Sequence, residues 1–388
     1  MRRWSAVLLV ATLALAGCSS SAHSAASRPL RLPWQEVTLA VPPGPPGRIA
    51  VRDAAACNGT WYLVGAVLGA AGESRPAAWR SVDGHSWEVM PLAPTSYYAR
   101  RAILYSVACR GTKVAALGER SGGAHGNPRI TSWYQRADGT LVDAHADFEL
   151  FGGPEAVTVG RMQAGPTGWL IAGIRIGGGA VWVSRDATDF RIIDRDPALS
   201  SDNQYKTSAL DQLADGTGWT VVGRVETPGR TTPAPLAWTS PDGEHWTRQP
   251  VPAATRGFAD LERVVGDGDG LLAVGLRDRR FGTWQRKGAR WIPGEAFGSW
   301  AADLSEPPFV SGLVERHGAV VATVSDGSRF RVWARSAGRW RQVVVPVQPR
   351  STGDTRMTVA ADGRDLLLLS DDGTSGRVWV TGWNTLSR

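Results

Sequence analysis

The densest cluster of aromatic and basic side chains in the sequence consists of Tyr97, Tyr98, Arg100 and Arg101. Tyrosine and arginine are common at binding hot spots, because a ring offers contact area and a guanidinium offers directed hydrogen bonds. The cluster lies between hydrophobic segments, in a stretch typical of a loop. The sequence therefore predicts a binding site here, with an ordinary connector as the alternative.

Two acidic segments are candidates for metal binding. Asp143, His145 and Asp147 alternate with alanine, so their side chains would share one face of an extended segment. A solvated outer strand explains the same pattern. Residues 266–270 alternate glycine with aspartate but lack the later acidic ligands of a calcium loop, which favours a tight turn. Motifs for a serine nucleophile, a zinc protease or a phosphate loop are missing from the sequence. We predict no metal site and no cofactor.

The first eighteen residues have the pattern of an export signal. Arg2 and Arg3 precede an apolar run at residues 6–14, which is too short to span a bilayer stably. Leu-Ala-Gly-Cys at residues 15–18 resembles the lipobox of bacterial lipoproteins. That resemblance implies that residues 1–17 are a cleaved signal peptide and that Cys18 is lipidated, anchoring the protein on the extracytoplasmic face of the cell membrane. An ordinary signal peptide that contains a cysteine is the alternative.

The charge distribution argues against a nucleic acid partner. The chain has 43 Lys+Arg against 36 Asp+Glu, and removing Arg2 and Arg3 leaves 41 against 36, a net charge of +5. The basic residues are scattered singly, without the block or stripe that nucleic acid binding favours. The segment that follows Cys18 is rich in serine and alanine, so residues 18–32 are predicted to be a flexible tether and residues 33–388 the folded domain.

The remainder of the chain repeats a unit of about fifty residues. A Trp-x-x-x-Gly segment, a loop and an Ala-Trp segment recur, most clearly from Trp61 to Trp87 and from Trp219 to Trp246. One tryptophan of each unit falls at positions 79, 133, 182, 238, 284, 333 and 379, with gaps of 54, 49, 56, 46, 49 and 46 residues. Each unit has room for four short strands. The repeat predicts an all-β fold, a single seven-bladed β-propeller with four-stranded antiparallel blades.

The last unit is one strand short. It ends after its third strand, at residues 379–383, whereas the N-terminal segment Trp34–Pro42 resembles Trp246–Pro252, where a fourth strand begins. We predict that the N-terminal strand completes blade seven and closes the ring, which removes exposed strand edges.

Two cysteines remain after Cys18. Cys57 and Cys109 occupy near-equivalent positions in neighbouring units. Export permits oxidation, so we predict a disulfide between them, with two separate buried thiols as the alternative.

Two Ser-x-Asp-Gly-x-x-Trp segments, and a degenerate third, resemble the Asp-box (BNR-type) repeats of sialidase-like β-propellers. The resemblance implies architecture and not activity: the aspartate accepts hydrogen bonds from backbone N–H groups, glycine permits positive φ, and the aromatic residue packs between sheets. The residues concerned are Ser81, Asp83, Gly84, Trp87, Ser184, Asp186, Phe190, Ser240, Asp242, Gly243 and Trp246.

Three functions remain open. We predict a monomeric, non-catalytic binding or scaffold module of the cell envelope, with a protein or glycan partner on the face that carries the longer loops. The alternative is a sialidase-like glycoside hydrolase, although sialidases have six blades; it needs three arginines around a carboxylate, a tyrosine–glutamate pair and an acid/base. A structural protein without a specific partner is the third possibility. The arginines and tyrosines near blade entries are Arg48, Arg101, Arg256, Arg356, Tyr98 and Tyr205.

Overall fold

A computed structural model describes residues 28–122, 127–253, 257–268, 270–304 and 306–386. The predicted signal peptide and Cys18 lie outside these residues. Within the described ranges the chain forms 29 strands, one four-residue helix and two short 3-10 turns. None of the described helices is long and apolar enough to cross a membrane.

The strands form seven sheets in chain order. Two short strands come first, β1 (Leu30–Arg31) and β2 (Gln35–Val37). Blade 1 comprises β3 (Arg48–Cys57), β4 (Thr60–Leu68), β5 (Ser74–Ser81) and β6 (Glu88–Val89). After a 3-10 turn at Ala99–Arg101, blade 2 comprises β7 (Ile103–Arg110), β8 (Lys113–Arg120), β9 (Arg129–Gln135) and β10 (Leu141–Asp143). Helix α1 (Phe148–Phe151) leads to blade 3, with β11 (Ala156–Gly165), β12 (Gly168–Arg175), β13 (Gly178–Ser184) and β14 (Arg191–Ile193).

The second half continues in the same order. Blade 4 comprises β15 (Lys206–Asp215), β16 (Gly218–Glu226), β17 (Ala234–Ser240) and β18 (Thr247–Pro250). Blade 5 comprises β19 (Arg263–Asp267), β20 (Gly270–Arg277), β21 (Arg280–Lys287) and β22 (Arg290–Pro293). Blade 6 comprises β23 (Phe309–Arg316), β24 (Ala319–Ser325), β25 (Phe330–Ser336) and β26 (Arg339–Val344). Blade 7 comprises β27 (Arg356–Ala361), β28 (Asp365–Asp371) and β29 (Gly376–Gly382), and a 3-10 turn follows at Trp383–Thr385.

The first strands of the blades surround a central axis. Each packs against the first strand of the next blade, and β27 of blade 7 packs against β3 of blade 1. The second strands are apolar runs buried along most of their length, as in Ala319–Ser325 of β24, where every residue is buried. Such strands are covered on both faces by neighbouring blades, so their sequences do not alternate between apolar and polar residues. The seven-bladed β-propeller predicted from the repeat is confirmed.

The repeated tryptophan of the third strand fixes the chain between blades. A buried indole N–H needs an acceptor, and in blades 1, 3, 4 and 5 the acceptor lies in the connector that enters the same blade. The bonds are Trp79 Nε1 to Ala40 O at 2.7 Å, Trp182 Nε1 to Leu150 O at 2.6 Å, Trp238 Nε1 to Ala198 O at 2.7 Å, and Trp284 Nε1 to Pro252 O at 2.8 Å. In these four blades the repeated tryptophan therefore marks one contact with the entering connector.

The N-terminal strand closes the ring as predicted. Strand β2 pairs antiparallel with β29, with Glu36 opposite Trp379. One pairing was not predicted: β1 runs parallel to β26, with Leu30 opposite Val343, and gives blade 6 a fifth strand. The sequence placed these residues in the tether, but two residues are too few to show a hydrophobic period.

A disulfide joins blades 1 and 2. Cys57 ends β3 and Cys109 lies near the end of β7, and their Cα atoms are 6.0 Å apart. The bond links the first strands of two neighbouring blades at the same end, as their equivalent places in the repeat predicted.

Candidate functional site

The loops are divided between two faces of the propeller. The turns that join strands one and two, and strands three and four, form what we call the turn face. The loops that join strands two and three, and the connectors between blades, form the connector face. The first strands of the blades line the central channel between the two faces.

Five of the first strands are interrupted by a β-bulge. The register with the second strand shifts in β3, β7, β11, β15 and β23. A bulge leaves an extra residue outside the ladder and turns the side chains near it. The glycine that ends the Trp-x-x-x-Gly segment lies opposite the bulge, where a Cβ on Gly65 would overlap Ala50 O and one on Gly223 would overlap Ser208 O. The repeated glycine is therefore required by close backbone contact.

Side chains in the first strands, or directly before them, bind the backbone of the next blade. These contacts connect blade 1 to 2, blade 2 to 3, blade 4 to 5 and blade 5 to 6 in the same direction around the ring. Asp53 Oδ2 accepts the N–H of Val107 at 3.0 Å, and Ser106 Oγ accepts that of Met162 at 2.9 Å. Asp211 Oδ2 accepts the N–H of Val264 at 3.0 Å, and Glu262 Oε2 accepts that of Val310 at 2.5 Å. We call this set the inner ring.

Arginines balance the carboxylates of the channel. Arg161 Nη2 lies 3.0 Å from Asp53 Oδ1, so the inner strands of blades 3 and 1 are linked past blade 2. Arg52 forms an ion pair with Asp371. Burial lowers the pKa of Arg263, while the charge of Asp211 opposes that effect. These guanidinium groups face carboxylates of the protein itself.

A tyrosine and a glutamate also lie near one another in the channel. Burial, together with the charge of Glu119, raises the pKa of Tyr105 well above its usual value. Its hydroxyl is 3.2 Å from Val159 O and 3.3 Å from Gly160 O, so it donates to the backbone of the next blade. The phenol is therefore held in its neutral form and bonded to the fold.

Blade 5 contains a buried pair of carboxyl groups. Burial raises the pKa of Asp260 to about 6, and burial next to Asp260 raises the pKa of Glu262. Asp260 Oδ1 accepts the N–H of Leu276 at 2.8 Å, while Arg224 Nη1 is 3.7 Å from the other oxygen. The pair is incompletely compensated by the arginine, which favours retention of a proton.

The Ser-x-Asp segments make their hydrogen bonds within their own hairpins on the turn face. In blade 1, Ser81 Oγ accepts the N–H of Gly84 at 2.9 Å, and Asp83 Oδ1 accepts those of His85 and Ser86 at 2.8 and 2.7 Å. The Ser86 and His85 N–H groups lower the pKa of Asp83. The matching bonds recur in blade 3 at Ser184, Asp186 and Ala187, and in blade 4 at Ser240, Asp242 and Gly243. The indole N–H groups of Trp87 and Trp246 donate to the turn carbonyl groups of Gly84 and Gly243.

The aromatic–basic cluster lies on the connector face, between blades 1 and 2. Tyr97 and Tyr98 contact each other edge to face, with centroids 5.3 Å apart, and the Arg101 guanidinium lies 4.1 Å from the centroid of Tyr97. Arg100 turns away and lines a separate cavity beside Pro42. The four predicted residues therefore divide: Tyr98 faces one cavity and Arg100 another.

The cavity at Tyr98 is the candidate site, and we call it the aromatic–arginine pocket. It has a volume of about 250 Å³ and lies where the connector after blade 1, the start of β9 and helix α1 meet. The Arg129 guanidinium is 4.0 Å from the centroid of Phe148 and 5.7 Å from that of Tyr98. Its lining includes the side chains of Tyr98, Arg129, Asp143, His145, Asp147 and Phe148.

Arg129 differs from the channel arginines in having no carboxylate partner among the described residues. Its Nε is buried without a hydrogen bond, and its guanidinium lies against the two rings. Phe148 is 55% exposed and Tyr98 38% exposed, which is unusual for large aromatic residues. A cation between exposed rings can receive a ligand that offers both an acceptor and a flat apolar face.

The predicted alternation of Asp143, His145 and Asp147 is part of this pocket, but Asp143 is already occupied. It accepts the N–H of Thr95 at 2.5 Å and that of Ser96 at 3.1 Å, and holds the connector against β10. No group of three metal-ligating side chains occurs among the described residues. The described part of residues 266–270 forms the end of β19, a turn and the start of β20, as expected.

The residues considered for a sialidase-type site have other contacts. Arg48 pairs with Asp371 at 2.8 Å, and Arg101 lies over Tyr97. Arg356 donates to the carbonyl groups of Gly353 and Thr355, and Tyr205 lies beneath Arg248. Arg256 lies outside the described residues.

Sequence reasoning missed the residues that give the pocket its chemistry. Arg129 begins β9 and Phe148 begins α1, about twenty residues apart, and no motif joins them. The inner-ring residues were also missed, although a polar residue inside an otherwise apolar first strand, such as Asp53 or Asp211, is a signal that could have found them.

The comparisons with known proteins show the fold. No family model matches the chain, and no curated protein matches its sequence. The structure is similar to the β-propeller domain of the Trilobed protease from Pyrococcus furiosus, with a TM-score of 0.50 and 10% identity over 86% of this chain and 93% of that one. That domain is described as having an open velcro topology.

Two further solved structures are less similar. Pyrococcus horikoshii acylaminoacyl peptidase gives a TM-score of 0.48 at 11% identity, over 86% of this chain and 52% of that one. A glycoside hydrolase gives a TM-score of 0.38 at 11% identity, over 82% of this chain and 96% of that one. At 10% identity the likeness to the Trilobed protease domain shows the fold alone.

Replacing Asp53 tests the inner ring. Asp53→Ala leaves the N–H of Val107 and the guanidinium of Arg161 without their partner, so we expect the free energy of unfolding to fall by about 3 kcal/mol. Asp53→Asn keeps an acceptor and should cost less. Chemical denaturation measures both variants, and equal losses below about 1 kcal/mol would contradict a role for the ring in stability.

Replacing Asp260 gives a pH dependence of known sign. Because the folded pKa is raised, the folded state binds the proton more tightly than the unfolded state. The resulting stabilisation is complete below pH 3.8 and is lost as the pH rises to about 6. Asp260→Asn cannot ionise, so its stability should not fall over this pH range. The free energy of unfolding of the variant should therefore rise by about 2–3 kcal/mol relative to that of wild type between pH 3.8 and about 6. Denaturation curves at several pH values measure the difference in unfolding free energy between the variant and wild type. A difference that stays constant with pH would refute a raised pKa for Asp260.

Proposed function

We propose that the protein is a lipid-anchored, extracytoplasmic binding β-propeller that holds a saccharide in the aromatic–arginine pocket. The observation that carries the proposal is Arg129, a cation placed between Tyr98 and Phe148 without a carboxylate partner among the described residues. In this proposal the protein acts as a monomer, and its ligand is a glycan of the cell envelope.

The shape of the pocket supports a sugar. The apolar face of a pyranose can pack on Phe148, while its ring hydroxyls or a carboxylate accept hydrogen bonds from Arg129. Asp147 and His145 lie exposed on the pocket wall and offer further polar contacts. About 250 Å³ is below the roughly 300–1,000 Å³ of sites for drug-sized ligands, which suits one sugar unit at a time.

The charge of Arg129 favours an acidic sugar over a neutral one. A guanidinium binds a carboxylate in a two-pronged geometry that hydroxyl groups reproduce less well. The hydrogen bonds that Asp143 accepts from Thr95 and Ser96 partly offset its negative charge toward an acidic ligand. We therefore take a uronic-acid-type unit as the favoured ligand.

Sialidase-type hydrolysis is the weaker candidate. Such an enzyme needs arginines free to bind a substrate carboxylate and a tyrosine activated as a nucleophile. Arg52 and Arg161 pair with carboxylates of the protein, and Tyr105 combines a raised pKa with hydrogen bonds to the backbone. These contacts favour a structural use of the channel.

Glycan binding is tested by titrating the protein with glycans that carry uronic acids and with their neutral counterparts. Arg129→Gln should abolish the preference for the acidic form, and Phe148→Ala should weaken binding of both by about thirtyfold or more, the loss typical of a hot-spot side chain. Ile176→Ala is the control, because Ile176 is 68% exposed on the same face but belongs to blade 3. Unchanged affinity in both pocket variants would rule out this pocket as the site.

The anchor is tested at Cys18. Cys18→Ser cannot be acylated, so the protein should move from the membrane fraction to the soluble fraction of the cells, and metabolic labelling with a fatty acid should be lost. Cys57→Ser with Cys109→Ser is the control, since it removes the other two cysteines. Retention of the Cys18→Ser protein on the membrane without a lipid label would contradict the anchor.

A further inference from the structure

Five exposed cations cluster on the turn face of three successive blades. They lie at or beside the tips of the turns between strands one and two or strands three and four, in blades 5, 6 and 7. The residues are Lys287, Arg290, Arg316, Arg339 and Arg364, and we call the set the basic edge.

The acidic residues of the same turns, Glu315, Asp362 and Asp365, are half-buried. Glu315 is half-buried and accepts the N–H of Gly318 at 2.8 Å, and Asp362 is half-buried and accepts those of Arg364 and Asp365 at 2.7 and 2.6 Å. None of the five cations forms an ion pair with a described residue. The surface that these turns present is therefore positive.

The chain enters the propeller beside the basic edge. Strand β1 runs parallel to β26, and Arg28 O accepts hydrogen bonds from Nε and Nη2 of Arg341 at 3.2 and 2.9 Å. Because β26 begins at Arg339, next to the turn between β25 and β26, the parallel direction brings the chain into blade 6 from the turn face. The aromatic–arginine pocket lies on the opposite, connector face.

Resting on the proposed lipid anchor at Cys18, we infer that the basic edge docks on anionic lipid headgroups of the membrane to which the chain is anchored. Lys and Arg near an anionic surface each strengthen binding by about fivefold, and the attraction falls off within about 8 Å at physiological salt. A short tether from the same face keeps the five cations near the headgroups. In this orientation the pocket faces away from the bilayer.

The test uses the unlipidated chain from Ser19, which retains every described residue, so that docking is measured without the anchor. Sedimentation with phosphatidylcholine vesicles should show little binding, and vesicles that also contain phosphatidylglycerol should bind the protein in a salt-sensitive way. The triple variant Arg290→Gln, Arg316→Gln, Arg339→Gln should lower the partition coefficient on the anionic vesicles by about a hundredfold.

The control removes the same charge elsewhere on the turn face. Lys113→Gln, Arg136→Gln, Arg185→Gln changes three exposed cations of blades 2 and 3, on the far side of the ring. Its partition coefficient should stay close to that of wild type. Equal losses in the two triple variants would mean that net charge alone drives binding, and would overturn the basic edge as a docking surface.

Two outcomes separate this inference from the anchor. Failure of the wild-type chain to bind anionic vesicles overturns docking, even where Cys18→Ser releases the protein from cells. Vesicle binding that depends on the basic edge supports docking, whatever the lipid label at Cys18 shows. Thermal unfolding of both triple variants checks that the turns remain folded.

Discussion

The first strand of each blade is an edge strand, and the centre of the propeller depends on how its free backbone groups are satisfied. Neighbouring first strands pack together without sharing a ladder, so their N–H groups need acceptors from side chains. Asp53, Ser106, Asp211 and Glu262 supply them, each reaching the next blade. Three of these acceptors are carboxyl groups in a poorly solvated channel, where unpaired charge is costly, and the channel arginines follow from that cost.

This use of the channel explains where binding chemistry can be placed. A guanidinium that compensates Asp53 or Asp371 cannot also receive a ligand without exposing a buried carboxylate. The connectors do not need such ion pairs, because the indole N–H groups of third-strand tryptophans bond to their backbone carbonyl groups and hold them in place. A side chain on a fixed connector can therefore stay exposed, as Phe148 does, and Arg129 at the start of β9 lies against its ring without a carboxylate partner among the described residues.

The sequence predicted the features that repeat and missed those that occur once. Tryptophan and glycine recur because most blades use one indole contact to the entering connector and one close approach at a bulge. The blade count, the closing strand and the disulfide could therefore all be predicted from spacing. The parallel pairing of β1 is two residues long and has no period. The pocket joins Tyr98, Arg129 and Phe148 from three separate segments of the chain. The aromatic–basic cluster was visible in the sequence as a run of residue types. Its division between two cavities depends on backbone directions that composition does not encode.

The two faces of the ring differ in a way that follows from the strand order. An even number of strands in each blade returns the chain to the connector face before every new blade, so all connectors, and with them the pocket, share one face. The turns on the other face present exposed charged tips, as in the basic edge of blades 5, 6 and 7. In blade 6 the parallel strand β1 brings the chain in from that turn face. A tether there leaves the connector face unobstructed, so the proposed anchoring and the proposed binding do not compete for the same surface.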